Sequence, residues 1–437
     1  MHVDRHFAAQ YNTRGHYVRT PFWKTSANRP DCLSDKHFRH EYFEFIEGTS
    51  FVMRNRIRRL VPSASARAVS CLLGILFVGN FAVNQAAAQD RPLKAEEAFK
   101  NIQVLKGISA GDFMGTMGIM TTALSFDCES CHASAGTDNV KWEVDTPRKI
   151  MARRMVTMMA NINQTSFGGR QVVTCYTCHR ANSRPAVTEP VDDVYAVPQL
   201  IPDDVFRQAP GQPSANTIVD KYIQAVGGTQ KVDALTSIAA TGASEFFGSF
   251  GGAGEVQFYA KTPDQRASII SYKTAPGRGD STRTYNGREG WMRTPLSILG
   301  EYMLSGNELA GARVDAQLVF PAQIKKALTN LRVGLPVTIN DQDVDVVQGD
   351  GPPGVVASLY FDSKSGLLVR MVRYAASPIG RISTQVDYSD YRDVGGIKFP
   401  YRWTFAWLDG KDTFEFRDVK MNVPIDAAKF GRQVQPK

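Results

Sequence analysis

The chain has 437 residues, room for two or three domains, and its 43% hydrophobic content is that of ordinary globular proteins. Most of the formal charge of +8 comes from the first 89 residues, with 12 Lys+Arg against 6 Asp+Glu; the rest holds 39 against 37. A body so near neutrality excludes nucleic acid as the expected partner.

Residues 1–52 are polar and aromatic, with His2, His6, His16, His37 and His40 scattered without period. They read as a leader, disordered or not translated, with metal binding by the scattered histidines as the alternative. Met53 opens a better beginning. Arg54, Arg56, Arg58 and Arg59 form a basic stretch, Ala68 to Val83 is mostly apolar, and Ala86-Ala87-Ala88 offers a small-residue cleavage site. Residues 53–88 therefore read as a secretory signal peptide, with an uncleaved membrane anchor as the alternative.

Residues 89–190 carry the chemistry. Ser109, with Asp112 three residues on, predicts a helix start, and Phe113, Met117, Met120 and Leu124 then recur at helical spacing. A loop follows with Cys128, Cys131 and His132. Asp145 is the expected cap of a second helix, with Pro147 in its first turn and an end near Asn163. Its apolar side holds Ile150 or Met151, then Met155, Met158, Met159 and Ile162. Gly168-Gly169 breaks the pattern before Cys175, Cys178 and His179.

Both cysteine pairs have the form C-x-x-C-H, the spacing of covalent c-type haem attachment. Cysteines three apart lie on one side of a helical turn, where each can add to a porphyrin vinyl group, and the next residue is the proximal histidine. All four cysteines beyond residue 90 sit in these motifs, and His132 and His179 are the only histidines there. A zinc knot is the first alternative, but 43 residues separate Cys131 from Cys175, wide for a zinc ribbon. Two disulfide loops are the second; neither alternative explains the repeated histidine. With no third histidine, a six-coordinate iron needs a thioether, a lysine or water. Seven of the thirteen methionines lie on the two helices. Such a stripe is usually adaptable packing, and spacing alone does not choose among them.

Residues 191–215 read as a Pro-rich linker. From 216 to 437 a short amphipathic helix (NTIVDKYIQAVGG) precedes alternating segments: EVQFYAK at 255–261, ASLYFD at 357–362, LLVRMVRY at 367–374 and ISTQVDY at 382–388. Turn signals at Asn286-Gly287, Ser365-Gly366, Gly395-Gly396 and Asp409-Gly410 separate them. FPAQIKKALTNLR, near 320–332, reads as a helix between strands. The fold class expected is thus α + β and multidomain: a mostly helical dihaem cytochrome domain, then an antiparallel-sheet half-barrel with a few helices. Trp291, Trp403, Phe405 and Trp407 are expected to pack the sheet, and Asp341, Asp343 and Asp345 to share one solvent-facing strand edge.

Residues about 99–185 closely resemble the cytochrome c subunit of photosynthetic reaction centres, through NIQVLKGISAGDFMGTMGIM, ARRMVTMMANIN and VVTCYTCHRANSRP. The resemblance implies a Met ligand from the helix before each motif. It points to Met117 with Cys128, Cys131 and His132, and to Met155 with Cys175, Cys178 and His179; Met120, Met158 and Met159 are the reserves. The family usually has four haems, and this chain matches its N-terminal half. Where the family has a histidine serving a distant haem, this chain has Gly168, Gly169 and Arg170. The C-terminal part is similar, by element pattern, to periplasmic lipoprotein-carrier domains, which shelter an acyl chain.

These readings predict an exported, periplasmic or membrane-associated electron carrier with two covalent haem c groups (iron). Its partners are redox proteins, a membrane reaction centre among them, with an apolar ligand for the C-terminal part. A haem enzyme with an open iron position and a lipid-binding envelope protein are the rival readings.

Overall fold

The structure, a computed structural model, describes residues 91–188, 191 and 207–433, apart from 138, 248–251, 273–278 and 295–297. The segments read above as leader and signal peptide, and most of the expected linker, lie outside the described residues.

A single helical turn (Ala95–Ala98) leads into α1 (Ala110–Leu124), which starts where Ser109 Oγ accepts the Asp112 N–H. It ends at Ser125, in the left-handed conformation. α2 (Pro147–Phe167) is capped by Thr146, whose Oγ1 accepts the Lys149 N–H; Asp145 is not the cap. Asp145 is instead held sideways, 2.8 Å from Arg153 and accepting the Asn101 amide. α2 also runs one turn past Asn163, to Gly168 at φ +60. Asn163 ends nothing because its side chain points inward. Its Oδ1 accepts the Val172 and Val173 N–H groups and its Nδ2 donates to the Val173 carbonyl. One buried amide thus folds the 168–174 loop back along the helix, satisfying backbone groups that a loop would otherwise leave to water. α3 (Cys175–His179) follows at once, capped by Thr174.

In the C-terminal part, Ser214 caps α4 (Ala215–Val226), and Gly227-Gly228 closes it. Ahead of that helix, Gln208 and Ala209 already bond the backbone of Val333. The strands are β1 (Ser237–Phe247), β2 (Gly252–Lys261), β3 (Gln265–Tyr272), β4 (Ser281–Tyr285), β5 (Gly290–Arg293), β6 (Glu301–Met303) and β7 (Thr329–Val333). Then come β8 (Val337–Ile339), β9 (Gln342–Asp350), β10 (Val355–Asp362), β11 (Leu368–Ser377), β12 (Gly380–Val394), β13 (Ile397–Trp407) and β14 (Gly410–Met421). α5 (Gly306–Gln317) lies between β6 and β7. All pairings are antiparallel, in the order β6-β5-β4-β3-β2-β1-β14-β13-β12-β11-β10-β9-β7, with β8 on β9.

This is the large antiparallel sheet with few helices that the alternating segments predict. The four quoted segments fall in β2, β10, β11 and β12. The expected helix near 320–332 is shorter than predicted: a 3-10 turn and one α-turn end at Ala327, and TNLR belongs to β7, where Thr329 and Arg332 pair with β9. Edge pairing outweighs the local helical pattern there. The core gathers Tyr222 of α4 against Phe361, and Phe258, Phe399, Trp403 and Phe416 against one another. Trp403 is a packing residue, with its indole N–H given to the Pro400 carbonyl. Among the described residues no helix is long and apolar enough to cross a membrane.

Candidate functional site

The first motif is held as one turn by its own backbone. His132 N–H donates to the Cys128 carbonyl at 2.9 Å and Cys131 N–H to the same carbonyl at 3.2 Å. Asp127 starts the turn by accepting from the Ser130 N–H and hydroxyl. α2 grips it from the other side: Thr146 Oγ1 donates to the Cys131 carbonyl and Arg148 to the Ser130 carbonyl. The second motif is α3 itself. Each C-x-x-C-H therefore occupies a single turn, the arrangement that two thioether bonds to one porphyrin require.

The two imidazoles differ. His179 Nδ1 lies 3.0 Å from the Asn182 carbonyl. That contact fixes the proton on Nδ1 and leaves Nε2 as a lone-pair donor, the usual orientation of a metal-binding histidine. His132 sits edge-on to Trp142, with ring centroids 5.0 Å apart, and its Nδ1 is buried without a hydrogen-bond partner among the described residues. Burial, then the nearby Lys149 ammonium, pushes its pKa down, so the ring is neutral and able to donate a lone pair.

The methionines separate by environment. Met159 is buried with Ile119, Val156 and Ile379, and Met120 packs on the same cluster. Met151 and Met158 are exposed on the outer side of α2. Met117 and Met155 are half-buried and belong to neither group. On α2 the helical period puts Met151, Met155, Met158 and Ile162 in one stripe, beside the buried line of Val156, Met159 and Asn163. Packing thus engages two of the three reserve methionines and leaves Met117 and Met155 less committed.

α1 has a second face that periodicity of large residues does not reveal. Gly111, Gly115 and Gly118 recur at helical spacing and press on the C-terminal part, Gly111 on α5, Gly115 on β12 and Gly118 on the turn after β13. A Cβ at Gly111 would overlap Glu308, at Gly115 Ile382, and at Gly118 would come 3.1 Å from Leu408 Cβ. α1 also packs on α3, so both motifs belong to one body. The turn between β13 and β14 reaches the first motif, where the Asp409 carboxylate raises the Cys128 thiol, second to burial. Sequence reasoning missed Trp142, Asn163 and Asn182 because each acts through one backbone or ring contact, which leaves no pattern; the glycine spacing was a legible signal.

The alternatives can be weighed on the same residues. The four motif cysteines are free thiols in the structure, so neither pair forms a disulfide loop there. Among the described residues no three His, Cys, Asp or Glu side chains converge as a metal site, so the four cysteines form no zinc knot. The donors present, paired thiols with an imidazole apiece and thioethers nearby, fit covalently held haem.

Residues 78–194 match the family model of the photosynthetic reaction centre cytochrome C subunit. In this cytochrome region the chain is 38% identical over 112 residues to the photosynthetic reaction center cytochrome c subunit of Thermochromatium tepidum, covering 24% of this chain and 26% of that protein. It is 31% identical over 132 residues to the corresponding subunit of Rubrivivax gelatinosus, covering 29% and 33%. The chain thus spans about a quarter to a third of the length of these curated relatives. Among solved structures, a LolA superfamily protein from Nitrosomonas europaea is similar over 51% of this chain and 99% of its own, at 14% identity and TM-score 0.36. A DUF1329 family protein from Desulfovibrio piger is similar over 50% and 98%, at 9% identity and the same TM-score of 0.36.

Proposed function

We propose that the chain is an exported dihaem c-type cytochrome that carries electrons between redox partners. The observation that carries this reading is the repeated unit of a methionine-bearing helix followed by a one-turn C-x-x-C-H. Cys128 and Cys131 would hold one haem c, with His132 as proximal ligand; Cys175, Cys178 and His179 would hold the other. Met117 and Met155 would supply the distal thioethers. When bound, the haem iron supplies a one-electron change of oxidation state, tuned upward by Met/His ligation.

The protein's own work is orientation. The Asn182 carbonyl sets the tautomer of His179, burial and the nearby Lys149 ammonium keep His132 neutral, and Asn163 fixes the loop that carries Cys175 to its place. Redox proteins are the partners in this reading. A membrane reaction centre is the candidate drawn from the relatives' names, and export follows from the leader. The C-terminal sheet serves as the platform for α1; an apolar ligand there is read by organic extraction and mass spectrometry of the purified full chain.

Intact mass of the protein made in a host with c-type maturation tests the central claim. Two haem additions are expected. A mature protein without either would overturn the reading.

A further inference from the structure

Charge is divided unevenly between the two motifs. From Asp112 to Asp145 there are six acids (Asp112, Asp127, Glu129, Asp138, Glu143, Asp145) and one base, Lys141. From 146 to 188 there is no acid and there are seven bases. Three of the seven hold α2 in place: Arg148 lies over Phe126 and donates to Ser130, Lys149 donates to the Trp142 and Val144 carbonyls, and Arg153 pairs with Asp145. The other four, Arg154, Arg170, Arg180 and Arg184, are exposed and make no ion pair among the described residues.

Three of these bracket the second motif. Arg170 stands in the loop that delivers Cys175. Arg180 is the left-handed residue that ends α3. Arg184 lies in the return loop, which the Asn182 N–H to His179 carbonyl and Ala186 N–H to Cys178 carbonyl bonds fold back over the motif. Between them Tyr176 is 58% exposed and Val172 49%. Exposed aromatic and apolar side chains flanked in the chain by exposed arginines have the composition of a transient docking surface, where charge sets encounter rate more than affinity.

We propose that the second motif docks an acidic redox protein through Arg170, Arg180 and Arg184. The inference rests on the dihaem reading and names the chemistry of one partner. An anionic lipid surface would also attract arginines, but these flank a C-x-x-C-H motif on both sides, and electron exchange needs a second redox centre, which lipid lacks. One electron passes from the reduced centre of one protein to the oxidised centre of the other, and no bond or proton changes hands.

The test uses the full haem-loaded protein, oxidised, with a reduced plant-type [2Fe–2S] ferredoxin of acidic surface as the probe, mixed by stopped flow. The bimolecular rate constant should fall roughly tenfold or more from low to high salt. The variant Arg170→Gln, Arg180→Gln, Arg184→Gln should lose about tenfold at low salt and most of its salt dependence; the three Arg→Lys changes together should retain both. Unchanged rates in the Gln variant, with both haems present by pyridine haemochrome assay, overturn the docking surface and leave the dihaem reading standing. A wild type without haem overturns both. Loss of binding to phosphatidylglycerol vesicles in the Gln variant, with an unchanged ferredoxin rate, also overturns the proposal and makes the surface a membrane contact.

Discussion

Gly115 and Ile382 approach so closely that the helix backbone of α1 rests on the isoleucine side chain, and a Cβ at residue 115 would overlap Ile382 Cδ1. Three glycines in a fifteen-residue helix weaken it by roughly 1 kcal/mol each relative to alanine. Their tolerance here comes from the close contact they permit with α5, with β12 and with the turn after β13.

That contact gives a prediction of sign. In an isolated helix Gly115→Ala stabilises; here it should destabilise by about 1–3 kcal/mol, as overpacking does. Urea unfolding measures it. Adding Ile382→Val should recover part of the loss, because the two residues touch and their effects do not add. Gly118→Ala, with its Cβ at a tight but tolerable 3.1 Å from Leu408, should cost less.

Met117→Leu and Met155→Leu should each keep the fold, within about 1.5 kcal/mol, since leucine and methionine are near in volume. Each should remove about half of the Met-to-iron charge-transfer absorption and lower the potential of one haem. Met159→Leu should leave the absorption whole, because that residue is 5% exposed in the junction core. Spectra and redox titration decide between them. Loss of the band in Met159→Leu, with both other variants unaffected, would reassign the ligand.

Asn163→Ala removes two acceptor contacts and one donor contact at a residue 7% exposed. The backbone groups of Val172 and Val173 would lose their partner, at a cost of roughly 1–3 kcal/mol. Limited proteolysis should find new cleavage at Gly168-Gly169 before the rest of the chain is cut.

Asp412 gives a pH dependence. It is 4% exposed, accepts the Ser244 hydroxyl at 2.7 Å, and burial raises its pKa to about 6. The folded state therefore favours the protonated acid. That stability is full below the ordinary value of 3.8 and is lost as the pH rises through about 6. Asp412→Asn keeps the acceptor for Ser244 and removes the ionisation. It should match wild type near pH 4 and exceed it by up to about 3 kcal/mol at pH 7, read by denaturant unfolding at the two pH values.

The strands were legible because one buried face imposes a period of two, and the turns because Asn-Gly and Asp-Gly leave the backbone few other choices. The two motifs were legible because C-x-x-C-H is a fixed local spacing, contained in a five-residue window. The cap of α2 was misplaced by one residue because Asp145 and Thr146 are both capable caps, and the ion pair of Asp145 with Arg153 is a tertiary contact. The end of α2 was misread for a similar reason: Asn163 is a common helix terminator in sequence and an inward clamp in this fold. The docking of α1 on the sheet depends on residues from opposite ends of the chain, so no local window contains it.

The glycine face of α1 also sets an order of events in the life of the chain. Ile382 and Leu408, which cover that face, are synthesised long after Gly115 and Gly118. The helix and both cysteine pairs are therefore made before the strands that seat them exist. A truncation within the final strands should therefore leave both motifs on a helix whose glycine face is uncovered, and limited proteolysis should cut α1 sooner than in the full chain.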